Sequence, residues 1–566
     1  MGSSTRNAGD SENSMGKKFL LILPPLDLPT HPYPAVPQLV SWLRERGHAV
    51  DGVDLNIRFF RWALTKEKIQ KGRVILDRLR NADKALSRPE AYHLKFLEKC
   101  AGILERYGVE TESLLDYDKN ETLSSALLAI ESALNFAFAP TFPERLFTVV
   151  SLQYAGHGNM FSSESLLRSI KEKKSLFDDF FAEVIPALDL GRYGFVGISI
   201  PFIKQIEPAL RLCRAIRRFY PSLPVYLGGA AVGVHVRGAR NSGLFDLFDG
   251  MIVGDGEEPL EKLILSYQAG SIEPKEIPGM TWRENGTIVE NPPSKPTPLS
   301  DIPTPHTELF DRKDYLSWPG EPLYRLSLSR GWTWGRCSFC NVSGSGIFPS
   351  QRIGPEEAFE KVKALLDKGE RGIALSDDEA DPEVAAAIAR RSVEAGRPFN
   401  WSLQSRLHPK MTMEWAAMLK RSGCRRLYTG IESFSDRILR LMNKALNRDL
   451  IEKVLSELAW GGLPVTAYMI IGYPGETEEE ARASFAALME HLENGRISSA
   501  YYNLFVIEPF SPIAREPGKY GIHDMVRQKK DDFNPLVLDF KAPGISRKQA
   551  VELQIEFQDL IDLHVA

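Results

Sequence analysis

The sequence predicts an α/β protein built from two parallel-sheet domains. The first is a doubly wound domain carrying a helical insertion. The second is a full or partial βα barrel with a helical C-terminal tail. Three observations predict this. An apolar run, an amphipathic helix and a second strand succeed one another over residues 18–54. A strand–helix alternation restarts near Tyr193 and again from Leu323. The Pro-rich stretch NPPSKPTPLSDIPTP, 291–305, separates the two series as a linker would.

Residues 1–17 are polar, lack the apolar centre of a secretion signal, and read as a disordered leader. Arg6 stands where the N-myristoylation pattern requires Ser or Thr, so lipidation is not expected. Phe19–Leu23 reads as a buried strand. A Pro-rich loop, a helix to Arg46 and a strand ending at Asp54 complete a βαβ unit. Such units place a ligand crevice at the carboxyl ends of their strands.

Residues 57–185 have helical periodicity and few strand signals. This insertion is either packing or a cap over a substrate. The alternation resumes at RYGFVGISIPF, then PVYLGGAAVGV and LFDGMIVGDGEEPLEKLI, and Asn285-Gly286 marks a hairpin in TWRENGTIVE. The first domain is thus assigned to 18–290, the barrel to 306–512 and the C-terminal extension to 513–566. The predicted barrel strands are Leu323–Leu328, Gly372–Ser376, Phe399–Leu403, Arg426–Gly430, Val465–Ile471 and Ala500–Ile507.

Composition narrows the function classes. The 566 residues leave room for roughly two to four domains. With a net charge of −4 there is no basic surplus for nucleic acid, so small molecules or proteins are the expected partners. No apolar run reaches the length of a membrane span. The five cysteines, Cys100, Cys213, Cys337, Cys340 and Cys424, are too sparse for a disulfide framework and point to a reducing, cytoplasmic setting.

The chemistry-bearing stretch is SRGWTWGRCSFCN, 329–341, with Cys337 and Cys340 two residues apart in a Gly- and Trp-rich loop after the first barrel strand. Charged residues gather at later strand ends: Ser376-Asp377-Asp378-Glu379, Arg406 and Glu432. A βα barrel builds its site there, although Asp378 and Glu379 could equally cap a helix.

Taken together these motifs resemble the cobalamin-binding branch of the radical S-adenosylmethionine (SAM) superfamily, over about residues 18–515. The N-terminal series is similar to a cobalamin-binding domain. The resemblance implies that Ser199, Gly228, Gly229 and Gly233 adjoin the corrinoid, with no lower axial histidine. LYTGIESFSDRILRLMNK and MIIGYPGETEEE resemble the fourth and fifth barrel strands of the family. By the same resemblance Glu432, Arg406, Gly472 and Gly475 would bind SAM, and Cys337 and Cys340 would hold an iron–sulfur cluster, 4Fe–4S in the family. It implies a methyltransferase, acting on a carbon of a natural-product or peptide-type substrate through a deoxyadenosyl radical and cobalamin, and served by an electron donor.

The family loop carries three cysteines. Here the first falls at Thr333 by spacing, or at Trp332 by its place after Arg330-Gly331. Indole cannot ligate iron, and a threonine hydroxyl is a poor ligand for a soft cluster. Three readings stay open. A substitute ligand, Cys424 or His408, could complete the cluster. The cluster could be absent and the chain a non-catalytic cobalamin- or SAM-binding partner. Or Cys337 and Cys340 could serve another metal or redox use. The loop aromatics are expected to pack around the cluster pocket, and Tyr502 to lie in the strand core or project into the barrel mouth.

Overall fold

The computed structural model describes residues 17–107, 123–146, 154–239, 241–315, 324–342, 350–377, 379–525 and 533–565. Asp378, and the leader apart from Lys17, lie outside the described residues. The chain divides into two compact units. The first comprises 1–297, 305–319 and 530–533, and the second 298–304, 320–529 and 534–566.

The first unit is built on a seven-stranded sheet. Its strands are β1 (Lys18–Leu23), β2 (Val50–Asp54), β3 (Tyr193–Ser199), β4 (Val225–Gly228), β5 (Gly250–Ile252), β6 (Met280–Glu284) and β7 (Thr287–Glu290), in the spatial order β2-β1-β3-β4-β5-β6-β7. The first five run parallel and the last two are an antiparallel hairpin. Asn285 and Gly286 turn the hairpin with φ of 50° and 81°, as the Asn-Gly pair predicts. The parallel order 2-1-3-4-5 reverses direction between β1 and β3, which defines the topological switch point of a doubly wound sheet. β1 and β3 are almost wholly buried, as strands covered on both faces must be.

The insertion is helical: Leu55–Ala63, Lys66–Arg80, Arg88–Tyr107, Leu123–Phe138, Ser163–Glu172 and Leu176–Ala187. An aromatic core holds it, with Phe59, Phe138, Phe177, Phe180 and Phe181 at contact distance. Asp54 ends β2 and caps the next helix by accepting from the Ile57 amide at 3.0 Å. It also accepts from the Tyr315 hydroxyl at 2.5 Å, and the Ser41 hydroxyl receives the His306 amide. These bonds tie residues 305–315 to the first unit.

The second unit has six parallel strands in sequential order: β8 (Tyr324–Leu326), β9 (Gly372–Leu375), β10 (Asn400–Gln404), β11 (Cys424–Glu432), β12 (Val465–Ile471) and β13 (Ser499–Leu504). β8 and β13 remain edges, so the sheet is a partial barrel. Helices Pro355–Asp367 (α1), Pro382–Glu394 (α2), Met413–Arg421 (α3), Arg448–Trp460 (α4) and Glu478–Glu493 (α5) alternate with the strands.

The pleat gives the sheet two unlike faces. Leu427, Ile431, Ala467, Met469 and Ile471 are fully buried on one. On the other, Tyr428, Tyr468 and Tyr501 line up ring beside ring at 6.4 and 6.1 Å. Tyr502, which the sequence left between core and mouth, lies against Phe485 and Phe557 and is core. Phe557 belongs to the C-terminal helix Arg547–Val565 (α6), whose Gln558 and Gln554 pair with the edge backbone at Tyr502. Covering an edge in this way removes a template for strand addition.

Candidate active site

The site residues of the second unit lie at the carboxyl ends of its strands, where a parallel βα sheet presents its loops. The loop after β8 brings Cys337, buried, and Cys340, half-buried. It is fastened to the turn after helix Asp436–Leu441: the Ser338 amide donates to the Met442 carbonyl at 2.9 Å, and the Trp334 indole to the Asn443 carbonyl at 2.8 Å. The Cys337 thiol points at the same carbonyl, 3.7 Å away. Ser338 Oγ meets the Tyr473 hydroxyl at 2.7 Å and ties the loop to the turn after β12.

Glu432 ends β11 at φ +67°, after a break in register with β12. Lys444 Nζ donates to its Oε1 at 2.8 Å, and both side chains are buried. The ammonium lies 5.4 Å from the Trp332 ring centre and 5.8 Å from that of Phe339. Burial works against the Lys444 charge, but Glu432 and Cys337 outweigh it and raise the group above its ordinary value. Burial pushes the Cys337 thiol up to about 12 despite that neighbour.

Glu379 accepts from Arg406 Nε at 3.3 Å and from the Thr333 hydroxyl at 2.7 Å, and the Arg406 guanidinium sits 5.2 Å from the Trp334 ring centre. Asp377 instead accepts from the amides of Leu328 and Ser329 and shapes the loop. The cap of α2 is Asp381, so Glu379 is not a capping residue. Gly472 and Gly475 turn the chain after β12 at φ +83° and +87°; the Gly472 amide donates to Glu476 Oε2 at 2.7 Å. Burial pushes the Glu476 carboxyl up to about 7. Sequence reasoning missed Lys444 and Glu476. Both are ordinary charges in the sequence, and only the tertiary fold buries them.

In the first unit Ser199 and Gly228 end adjacent strands and pair in register. Gly229 follows at φ +102°, where a Cβ would stand 2.7 Å from the Ile200 backbone. Gly233 is buried in the turn Val232–Val236. These residues share the carboxyl edge of the sheet with Asp27, in the loop after β1. Asp27 is buried, and its Oδ2 has no hydrogen-bond partner.

Residues 332–488 match the family model described as the Radical SAM superfamily. This segment is a radical SAM domain. An uncharacterized methyltransferase of Pyrococcus horikoshii is 30% identical over 243 residues, 42% of this chain and 51% of that protein. A threonylcarbamoyladenosine tRNA methylthiotransferase of Bacillus subtilis is 27% identical over 168 residues, 27% of this chain and 37% of that protein. The chain thus spans about half, or less, of the curated relatives it matches.

Two kinds of solved structure share the fold. The radical SAM methyltransferase TsrM of Kitasatospora setae, solved with cobalamin and a [4Fe-4S] cluster, has a TM-score of 0.55 at 14% identity, covering 97% of this chain and 89% of that one. The cobalamin-dependent radical SAM enzyme OxsB has 0.53 at 16%, covering 71% and 63%.

The residues present suit some of the groups those solved structures carry and not others. The orphaned Asp27 carboxylate oxygen suits a corrinoid, whose rim is fringed with amide donors. For SAM, the buried Trp332 Nε1 is a donor with no partner, beside the paired charges of Glu432 and Lys444. A three-thiolate cluster does not fit. The radical SAM domain brings two thiols together, with Trp332 and Thr333 where a third would stand. Cys424, one of the two conceivable substitutes, starts β11 at the end opposite Glu432, roughly 25 Å away at about 3.3 Å per residue. His408 lies after β10, where its Nδ1 accepts from the Lys410 amide. Among the described residues no group of three His, Cys, Asp or Glu side chains could hold a metal ion.

Proposed function

We propose that this chain is a cobalamin- and SAM-dependent methyltransferase of the radical SAM type, acting on a natural-product or peptide-type substrate in the cytoplasm. The observation that supports this reading is the barrel mouth: Glu432, Lys444 and Trp332 meet at the end of β11, Arg406 lies beside Trp334 after β10, and the glycine turn at 472–475 follows β12, in a segment matching the Radical SAM model. When bound, cobalamin supplies a metal centre able to carry a methyl group, and SAM supplies the methyl group itself.

The chain's own residues do the binding and orienting. Ser199, Gly228, Gly229 and Gly233 form the edge that would adjoin the corrinoid, with Asp27 Oδ2 receiving an amide hydrogen. At the barrel mouth Glu432 and Lys444 present opposite charges, and Arg406, steadied by Glu379, adds a cation. Gly472 and Gly475 allow the left-handed turn after β12, where a Cβ on Gly472 would stand 2.9 Å from that of Ala550. The half-buried aromatics Trp332, Trp334 and Phe339 would shield the mouth from water. No radical step is assigned, because the loop does not supply three thiolates. An electron donor would serve either route, because bound cobalamin must be reduced before it can take a methyl group from SAM.

A second reading is a non-catalytic cobalamin- or SAM-binding partner of another enzyme, and Trp332 and Thr333 at the missing thiol favour it. One assay separates the readings. Anaerobic protein with cobalamin, reductant, SAM and a panel of candidate substrates is assayed for S-adenosylhomocysteine and deoxyadenosine. Substrate-dependent S-adenosylhomocysteine supports methyl transfer, with deoxyadenosine marking a radical route. Neither product, with both cofactors bound, supports the partner reading.

A further inference from the structure

Radical SAM chemistry as the resemblance implies it uses an open iron to hold the amine and carboxylate of SAM. In this chain Glu432, which the resemblance assigns to SAM binding, is half of an internal charge pair. Lys444 and Glu432 are buried side chains joined at 2.8 Å. The pair lies between the loop with Cys337 and the end of β11, with the Lys444 ammonium 5.4 Å from the Trp332 ring centre and 5.8 Å from that of Phe339. Its backbone is unusual. Glu432, Asn443 and Ala445 have φ of +67°, +53° and +55°, three of the eight non-glycine residues with positive φ among those described. A left-handed alanine is costly and persists only where surrounding contacts dictate it. Here the 442–445 turn is fastened through Ser338, Trp334 and Asn443 to the cysteine loop. Strain and bonding together hold the Lys444 side chain inward.

We infer that this chain binds the amino-acid end of SAM with the Lys444–Glu432 pair in place of iron. An α-amino acid is a zwitterion. Its carboxylate would meet the Lys444 ammonium and its amine the Glu432 carboxylate, so each buried charge exchanges one partner for another. Trp332 serves this arrangement where a thiol would not. Its ring already lies beside a cation, and an aromatic face receives a sulfonium as it does an ammonium. Its unpartnered Nε1 offers the ligand a hydrogen bond. The inference rests on SAM being a ligand, as proposed above, and departs from the resemblance in making iron unnecessary for binding.

The test is calorimetric titration of SAM and of S-adenosylhomocysteine into full-length protein. One sample is stripped of iron by chelator and another is reconstituted anaerobically with iron and sulfide, with iron content measured. The expected result is equal SAM affinity in both samples, at about one site per chain. Lys444→Met should weaken it by roughly thirtyfold or more, the scale for truncating one partner of a buried charge pair. Lys444→Arg should retain most of the affinity. Trp332→Leu should erase the preference for SAM over the neutral thioether, a change on the order of several-fold for a cation–π contact. Should Lys444→Met fail to fold, Glu432→Gln and the Trp332→Leu preference decide the matter. SAM binding only to protein holding about four irons would overturn the inference and leave the methyltransferase reading standing. No SAM binding in either sample would remove SAM from both. SAM binding to stripped protein unchanged by these substitutions would also overturn it.

Discussion

Lys444 donates to Glu432 across 2.8 Å inside the barrel mouth, and both side chains are almost without solvent. The relationship makes two ordinary surface residue types into the electrostatic centre of the site, and the stability of the domain depends on keeping both or neither.

Breaking this pair from one side leaves a buried charge uncompensated, which costs about 3–5 kcal/mol. Lys444→Met is therefore expected to lower the urea midpoint sharply, with the urea dependence of the unfolding free energy unchanged. The double change to Met and Gln is expected to recover much of the loss.

Asp54 is buried beneath Tyr315 and Ile57. Desolvation carries its carboxyl from 3.8 up to about 6, although hydrogen bonds from Tyr315, Ile57 and Asn56 oppose the change. Below pH about 4 folded and unfolded chains both hold the proton, and above about 6 neither does. Between those values only the folded chain holds it, so stability falls as pH rises through that window, by up to roughly 3 kcal/mol. Asp54→Asn keeps the helix cap and should flatten this slope, read from denaturation midpoints at pH 4, 5, 6 and 7.

Gly229 combines φ +102° with a virtual Cβ 2.7 Å from the Ile200 backbone. Gly229→Ala must move the carboxyl end of β3 or β4. We expect a loss of more than about 2 kcal/mol, the left-handed cost alone being about 1–2. Gly228→Ala should be milder, since the nearest atom to its added carbon is 3.8 Å away. Thermal melts of the two variants test the contrast.

Gln554 and Gln558 of α6 satisfy the edge backbone of β13 at Tyr502. Replacing both with Ala removes bonds worth about 1 kcal/mol each. Hydrogen exchange at the Tyr502 amide should quicken by roughly tenfold, while exchange in β11, at the sheet centre, stays unchanged.

The sequence by itself determined the two sheets. Period-two and apolar strand runs, the Asn285-Gly286 turn and the alternation with amphipathic helices are local signals, because strand pleat and helix pitch act over a few residues. It also placed Cys337, Cys340, Arg406 and Glu432 at strand ends, and showed that a third loop thiol was lacking. Tertiary structure alone decided what fills that lack. Lys444 is twelve residues beyond Glu432 and more than a hundred beyond Cys337, in the turn after a helix whose sequence gives no sign that this lysine is buried. It becomes a site residue only because the turn at 442–445 is pinned to the cysteine loop. Burial, which raises the carboxyls of Glu476 and Asp54 and encloses Lys444 with Glu432, is a property of the whole packed unit and is not written in any local stretch of sequence.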